Sequence, residues 1–345
     1  MNPHFSWCDI NDELNVEEDI PHIQDFFKKE YNKLEEKHYV LQNDIIPVYT
    51  LDLEDFDKEK IQKDIYKTFF FNSGAIIIKN AYKEETMDKY NLWCEENLEL
   101  CNKDSNSTHP KQSDKYLLND VIGRMSDSNP DLLMDLINNE YFTNCIDILG
   151  VPKIGSCTGH RINSQGDRQK SHVDYPAHIG SGKFWNNDIN KFKNLTTKYH
   201  ANFILPFFSA QVLLAPHKMN KENGSTEIVP CSHLLQDLDI LIHDKKILDD
   251  FEKYFINVEL EKGDMLIFSR GLCHRGGKNT SPDPRNSLIV QCVWWWGVGQ
   301  EIIESSKVFE RLEKSRKFNE LEKDKKDRFK LRLDFPFPKN VKESA

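Results

Sequence analysis

A β sandwich or barrel buttressed by helices is the fold this sequence predicts, and three observations carry it. From about residue 151 the chain breaks into short β-rich runs, VPKIGSCTGHRIN, NFILPFFSAQVLLAP, STEIVP, YFINVEL, DMLIFS and NSLIVQCVWWW, separated by Gly, Pro and Asn turns. The first half instead shows apolar positions at helical spacing. The regular alternation of parallel strands and helices that marks a dinucleotide-binding fold is absent.

The elements follow in chain order. Residues 1–45 are highly charged, with a helix expected over about 21–38, and read as an N-terminal arm packed on the main domain. Residues 46–54 read as a strand, about 56–70 as an amphipathic helix, and GAIIIKN (74–80) as a short apolar strand bounded by Gly and Asn. Another helix is expected over about 84–101. Residues 130–149 (PDLLMDLINNEYFTNCIDIL) keep helical spacing throughout, with Pro130 near the first turn and Gly150 as the stop, so one helix is expected there. Residues 46–150 thus form a helical buttress with the first strands, ahead of a β core over 151–300 that one helix near 234–252 interrupts. In the tail, 301–345, the charged stretch 302–331 carries periodic Ile, Val, Phe and Leu and reads as a surface helix with a solvated face; a partner-binding helix is the alternative. No repeat or low-complexity linker marks a boundary, and the chain reads as a single domain, monomeric or homodimeric.

Bulk properties narrow the function classes. The 345 residues, 38% of them hydrophobic, suffice for a buried core. A formal net charge of -10, from 46 basic and 56 acidic residues, argues against a nucleic-acid or anionic-membrane surface. No stretch approaches the roughly 20 apolar residues that cross a bilayer, and the N-terminal sequence has no secretion-signal pattern, so a soluble cytoplasmic protein is expected. The eight cysteines are scattered without a CxxC pair and read as reduced thiols.

The sharpest chemical feature is His172-Val173-Asp174. On an extended chain, residues two apart project to the same side, so an imidazole and a carboxylate can reach one metal. Twelve His and 56 acids in 345 residues give this spacing about twice by chance, and it occurs once. Alone it reads more readily as a solvent-exposed or core-satisfied pair than as a metal site. One hundred residues on, a turn at Gly263-Asp264, an apolar strand, His274 at its far end and Arg285 eleven residues later form one hairpin unit. Two His and a carboxylate on one face of an octahedron leave three positions open, the arrangement of non-haem Fe(II) oxygenases. An Arg fork matches a carboxylate with paired charge-assisted bonds.

Three motifs in order, His172-Val-Asp174, Asn223-Gly-Ser-Thr226 through Pro230-Cys-Ser-His233, and Gly263-Asp264 through His274 to Arg285, make this chain resemble the phytanoyl-CoA dioxygenase-like (PhyH) family over roughly 150–296. A weaker echo covers 46–101. The resemblance implies a double-stranded β-helix, a cupin-like jelly roll, with Fe(II) held by His172, Asp174 and His274, 2-oxoglutarate anchored by Arg285, and O2 consumed. Thr226 and Asn163 match polar positions lining the cosubstrate site in that family. The implied reaction is hydroxylation, oxidative cyclisation or desaturation of a small-molecule C-H bond, with succinate and CO2 released. Asp174 stands where halogenating relatives carry a small residue, which disfavours halogenation. One departure is Cys231, where the family's turn carries Gly.

Other residues remain open in the sequence. Gln211 lines the pocket if its strand alternates regularly, or is an ordinary buried amide. Residues 176–201, Gly- and Asn-rich, read as a lid or as a plain insertion. Within or near them His178, Lys183, Trp185, His200, Arg161 and Arg168 are candidate substrate contacts, and these cations suit an anionic or amino-acid-like molecule. Trp294-Trp295-Trp296 reads as core or helix packing rather than a stacking platform, and His217, His233 and His243 as structural or exposed. Cys273 should point away from the iron. Two rival classes stand beside the oxygenase: a non-catalytic jelly-roll protein that binds or senses a ligand, and a zinc hydrolase, which leaves Arg285 unexplained and lacks HExxH spacing.

Overall fold

The computed structural model describes residues 25, 48–50, 58–98, 102–103, 115–118, 121–172, 174, 209–234, 252–293 and 310–329. The helices expected over 21–38 and near 234–252 fall almost wholly outside the described residues, as do 176–201 with His178, Lys183, Trp185 and His200, and also His243 and Trp294-Trp295-Trp296.

Eleven strands form two sheets among the described residues. They are β1 (Val48–Thr50), β2 (Ala75–Lys79), β3 (Asn102–Lys103), β4 (Lys115–Leu118), β5 (Lys153–Ile162), β6 (Ser209–Leu214), β7 (Thr226–Ile228), β8 (Ile256–Asn257), β9 (Met265–Ser269), β10 (His274–Gly276) and β11 (Arg285–Val293). The larger sheet has the order β1-β2-β9-β6-β11-β5-β4-β3 and the smaller β10-β7-β8. Every pairing is antiparallel except β1 with β2. Along β2-β9-β6-β11-β5 and between β10 and β7, neighbours in space are far apart in the chain, as in a double-stranded β-helix, and β9, β10 and β11 are spread over both sheets.

The central strands are buried on both faces, which explains why they read as apolar runs. One face of the large sheet sends Ile76, Val212, Leu214, Met265, Ile267 and Val290 into a core shared with five helices. These are α1 (Lys58–Phe71), α2 (Glu84–Glu96), α3 (Val121–Ser128), α4 (Pro130–Ile137) and α5 (Glu140–Ile148). The other face contributes Ala75, Ile77, Leu213, Leu266 and Phe268 to a second core against Ile228, Val258 and Leu272. The inner face turns polar toward β5 and β11, and there the cavity lies.

The helix expected over 130–149 is two helices. The apolar period runs on through Asn138-Asn139, but the Asn139 carboxamide accepts from Tyr141 N and Phe142 N at 2.9 and 3.2 Å, capping α5, and donates to Ala81 O. Asn129 caps α4 the same way, with Pro130 next to it as expected. The helix expected over 84–101 stops at Glu96, and α3 was not anticipated.

The tail is not one surface helix either. It forms α6 (Arg316–Asn319) and α7 (Lys323–Asp327), broken between, with Ser315 capping α6 through Phe318 N. Its periodic Leu312, Phe318 and Phe329 are buried in the helix-side core. Ion pairs of Lys317 with Asp135 and Arg328 with Asp147 hold it there.

The Gly-Asp turn has a clear structural cause. Gly263 takes φ +91°, with Tyr82 O where a Cβ would sit, and the buried Asp264 carboxylate accepts from Lys79 Nζ, Asn80 N and Glu261 N. Cys231, in the family's glycine position, itself adopts φ +65°. The turn keeps a left-handed geometry at a cost of about 1 kcal/mol.

Candidate metal centre

His172 and His274 face each other as an antiparallel bridge. His172 N donates to His274 O at 3.0 Å and His274 N donates to His172 O at 2.9 Å. Directly opposed residues project to one side, so the ring centroids lie only 4.3 Å apart. Asp174 lies two residues beyond His172, fixed by its N-H donating to Arg270 O at 2.9 Å. One ligand atom from each of His172, Asp174 and His274 lies within 4.8 Å of the others.

Hydrogen bonds select the imidazole tautomers. His172 Nδ1 lies 2.9 Å from Lys170 O and His274 Nδ1 lies 2.8 Å from Leu272 O. A carbonyl only accepts, so both protons sit on Nδ1 and both Nε2 atoms present lone pairs. Those atoms face the carboxylate at 4.0 Å (His172 to Oδ1) and 3.7 Å (His274 to Oδ2), too far for direct hydrogen bonds.

Burial opposes charge on Asp174, yet His274, Arg270 and His172, with a bond from Gln211, hold its carboxyl down at about 2. Gln211 Nε2 donates to Oδ2 at 2.5 Å, and Arg270 Nε lies 3.9 Å from the same oxygen. Two imidazole Nε2 atoms and an ionised carboxylate therefore converge. That donor set fits a divalent transition metal such as Fe(II).

The triad opens on a cavity of about 280 Å³. Arg285, 3% exposed, lines the same cavity. Its Nε has no hydrogen-bond partner, its NH1 reaches only the Met219 sulfur at 3.6 Å, and among the described residues no carboxylate lies within ion-pair distance. Burial pushes the guanidinium down to about 10. A buried cation without an anion is costly, and a carboxylate ligand in the cavity would satisfy it.

The remaining expected residues divide by strand parity. Ser156, Thr158, His160 and Ile162 of β5 line the cavity, so the odd positions turn away. Arg161, expected at the substrate, is therefore on the opposite face, paired with Glu95 and donating to Asn286 Oδ1 at 3.2 Å. Asn163 does not line the cavity either; it follows Ile162 at the strand end, and its carbonyl accepts from Asn279 Nδ2 and Gly166 N. Arg168 pairs with Glu227 and Glu252. Thr226 and Gln211 do line the cavity.

His217 is structural, as expected: its Nε2 accepts from Asn286 N, and burial first, then the Arg285 charge, hold it down at about 4. Cys273 is buried and does not line the cavity. Sequence reasoning missed Arg270, which carries no motif, and the inward residues Thr158, His160, Gln169 and Ser287. For Ser287 a signal existed, since it lies two residues past Arg285 on the same strand face.

Comparison with known proteins agrees with this architecture. No curated protein matches the chain in sequence. Among solved structures, the non-heme alpha ketoglutarate dependent epimerase SnoN from nogalamycin biosynthesis superposes with TM-score 0.50 at 15% identity, covering 68% of this chain and 82% of its own. The non-heme alpha ketoglutarate dependent carbocyclase SnoK from the same biosynthesis gives TM-score 0.50 at 15% identity, covering 72% and 92%. At that identity the likeness is one of fold. The family model described as phytanoyl-CoA dioxygenase (PhyH) matches residues 70–287, a span that runs from β2 into the start of β11 and holds the whole His-Asp-His cluster, and the chain belongs to the phytanoyl-CoA dioxygenase (PhyH) family of oxygenases.

Proposed function

We propose that this chain is an Fe(II)- and 2-oxoglutarate-dependent oxygenase that oxidises a C-H bond of a small polar metabolite. His172, Asp174 and His274 hold the iron, and Arg285 binds the distal carboxylate of 2-oxoglutarate. Thr226 and Gln211 border the cosubstrate, Gln211 by fixing one oxygen of Asp174. The observation that carries this reading is the shared cavity, lined both by three metal donors and by a buried guanidinium that has no carboxylate in ion-pair distance among the described residues. When bound, the iron with 2-oxoglutarate and O2 supplies the oxidising power, and succinate and CO2 are released.

The chain's own residues do the rest. Lys170 O and Leu272 O keep the imidazole protons off the ligating nitrogens. Gln211 and Arg270 keep Asp174 ionised and oriented. The apolar Leu213, Phe268 and Ile289 in the wall limit water around the reacting centre.

A zinc hydrolase has no use for Arg285, and a binding module has no need for His172, Asp174, His274 and Arg285 together. SnoN is an epimerase and SnoK a carbocyclase, so this fold hosts outcomes other than hydroxylation. The anionic-substrate expectation loses its described support, because Arg161 and Arg168 are both engaged by carboxylates. The test is succinate release from 2-oxoglutarate, dependent on added Fe(II) and O2, across a panel of polar metabolites. Release stimulated by a panel member and abolished in His172→Ala is the expected result; release that persists without iron would refute the reading.

A further inference from the structure

A hydroxyl ends the row of inward residues that reaches Asp174. Ser156 of β5 is the register partner of Gln291 on β11, and Gln291 is the partner of Gln211 on β6, whose amide donates to Asp174. Ser156 and Gln211 both line the cavity. Arg285 stands six residues from Gln291 along β11, about 20 Å of extended strand. A cosubstrate held between Arg285 and the metal donors therefore lies on the Arg285 side of this row, and Ser156 is at the other end of the wall.

The Gln291 amide is fixed at both ends. Arg270, 1% exposed, sets its terminal nitrogens against one end, with NH2 at 3.1 Å, and the other end lies 3.0 Å from Ser156 Oγ. A guanidinium only donates, so the amide oxygen faces Arg270 and the NH2 group donates to Ser156 Oγ. The serine oxygen is thereby used as an acceptor, and its own proton is left to donate elsewhere. Among the described residues no side chain or carbonyl accepts it. Ser156 is 6% exposed, so this donor sits in a wall where an unmade hydrogen bond is costly.

The neighbouring cations are committed. Arg270 serves Asp174 and Gln291, and Arg275 pairs with Glu227 and Glu252. An uncharged donor with no spare cation beside it suits an uncharged acceptor. We infer that Ser156 is a specificity-determining residue, whose hydroxyl donates to an uncharged oxygen of the substrate, a hydroxyl, ether or carbonyl, while Arg270 and Gln291 position that hydroxyl as a donor. This rests on the oxygenase reading above and gives its substrate a defined polar handle.

The test uses the Co(II) protein with 2-oxoglutarate and acetone as the probe, an uncharged acceptor whose methyl protons relax faster when held near the paramagnetic ion. Isobutene, of the same shape without oxygen, is the control, and the Zn(II) protein gives the diamagnetic baseline. In Ser156→Ala the ratio of acetone to isobutene enhancement should fall about fivefold, with 2-oxoglutarate affinity by calorimetry kept within about twofold. Gln291→Glu still partners Arg270 but offers only acceptors, so the Ser156 proton turns to it; the ratio should fall again, although Gln291 itself does not line the cavity. Should Gln291→Glu fail to fold, Ser156→Ala carries the test alone. No acetone enhancement in the wild type, an unchanged ratio in Ser156→Ala, or a 2-oxoglutarate affinity that falls by the same factor as the ratio would overturn the inference. Failure of the wild type to bind Co(II) and 2-oxoglutarate would overturn the oxygenase reading itself.

Discussion

Replacing Arg285 by Met should make the apoprotein more stable and nearly blind to 2-oxoglutarate. The guanidinium is fully buried with no carboxylate in ion-pair distance among the described residues, and the fall from 12.5 to about 10 corresponds to about 3 kcal/mol of desolvation. Folded and unfolded chains both carry the charge at neutral pH, and the folded state binds that proton less tightly, so the penalty applies in full at every pH below about 10. Methionine refills most of the stem's volume. After allowing for the lost Met219 contact, a gain of about 1–3 kcal/mol remains. Against this, the cosubstrate loses a charge-assisted, bidentate partner, worth about 3 kcal/mol or about a hundredfold in affinity. Urea denaturation of the apoprotein gives the first quantity, and titration of 2-oxoglutarate into the Ni(II) form the second. A variant that is less stable yet binds 2-oxoglutarate normally would show that Arg285 is a structural residue, and the argument from its missing anion would be wrong.

Three further outcomes follow from the same geometry. Asp174 is held down at about 2 against 3.8 in an ordinary carboxyl, so its ionised form adds about 2 kcal/mol of apoprotein stability above pH 4 that is lost as pH falls toward 2; Asp174→Asn should lack this part of the acid destabilisation in pH-dependent urea unfolding. Gln211→Leu removes the amide that orients Asp174 and should weaken Ni(II) binding by about tenfold, read by calorimetry; an unchanged affinity would remove Gln211 from the site. Gly74→Ala puts a methyl 2.4 Å from His233 Nδ1 at φ +77°, and should cost about 2 kcal/mol or more in urea denaturation.

Much of this was legible because motif order and strand periodicity report different things. Spacing alone put His172 and Asp174 on one side of a strand, and the hairpin layout put His274 and Arg285 in the same neighbourhood. Period two cannot say which parity faces inward, however. On β5 the sequence draws the eye to Arg161 and Asn163, while the pairing of Ile162 with Arg285 turns the even positions, His160 among them, into the cavity. The break at Asn138-Asn139 was hidden by an apolar period that runs through it; the caps were present as residue types, but only Ala81 O and the docked strands show which Asn is used. Arg270 had no signal, because it matters through one oxygen of Asp174, a residue brought near only by tertiary structure.

The most direct measurement is anaerobic addition of Fe(II) and 2-oxoglutarate to purified apoprotein, following the visible charge-transfer absorption of their chelate. Convergence of His172, Asp174 and His274 beside an anion-seeking Arg285 predicts that the band appears with both additions, vanishes in Asp174→Ala, and requires far more 2-oxoglutarate in Arg285→Met. No band in the wild type, or an undiminished band without Asp174, would contradict the account.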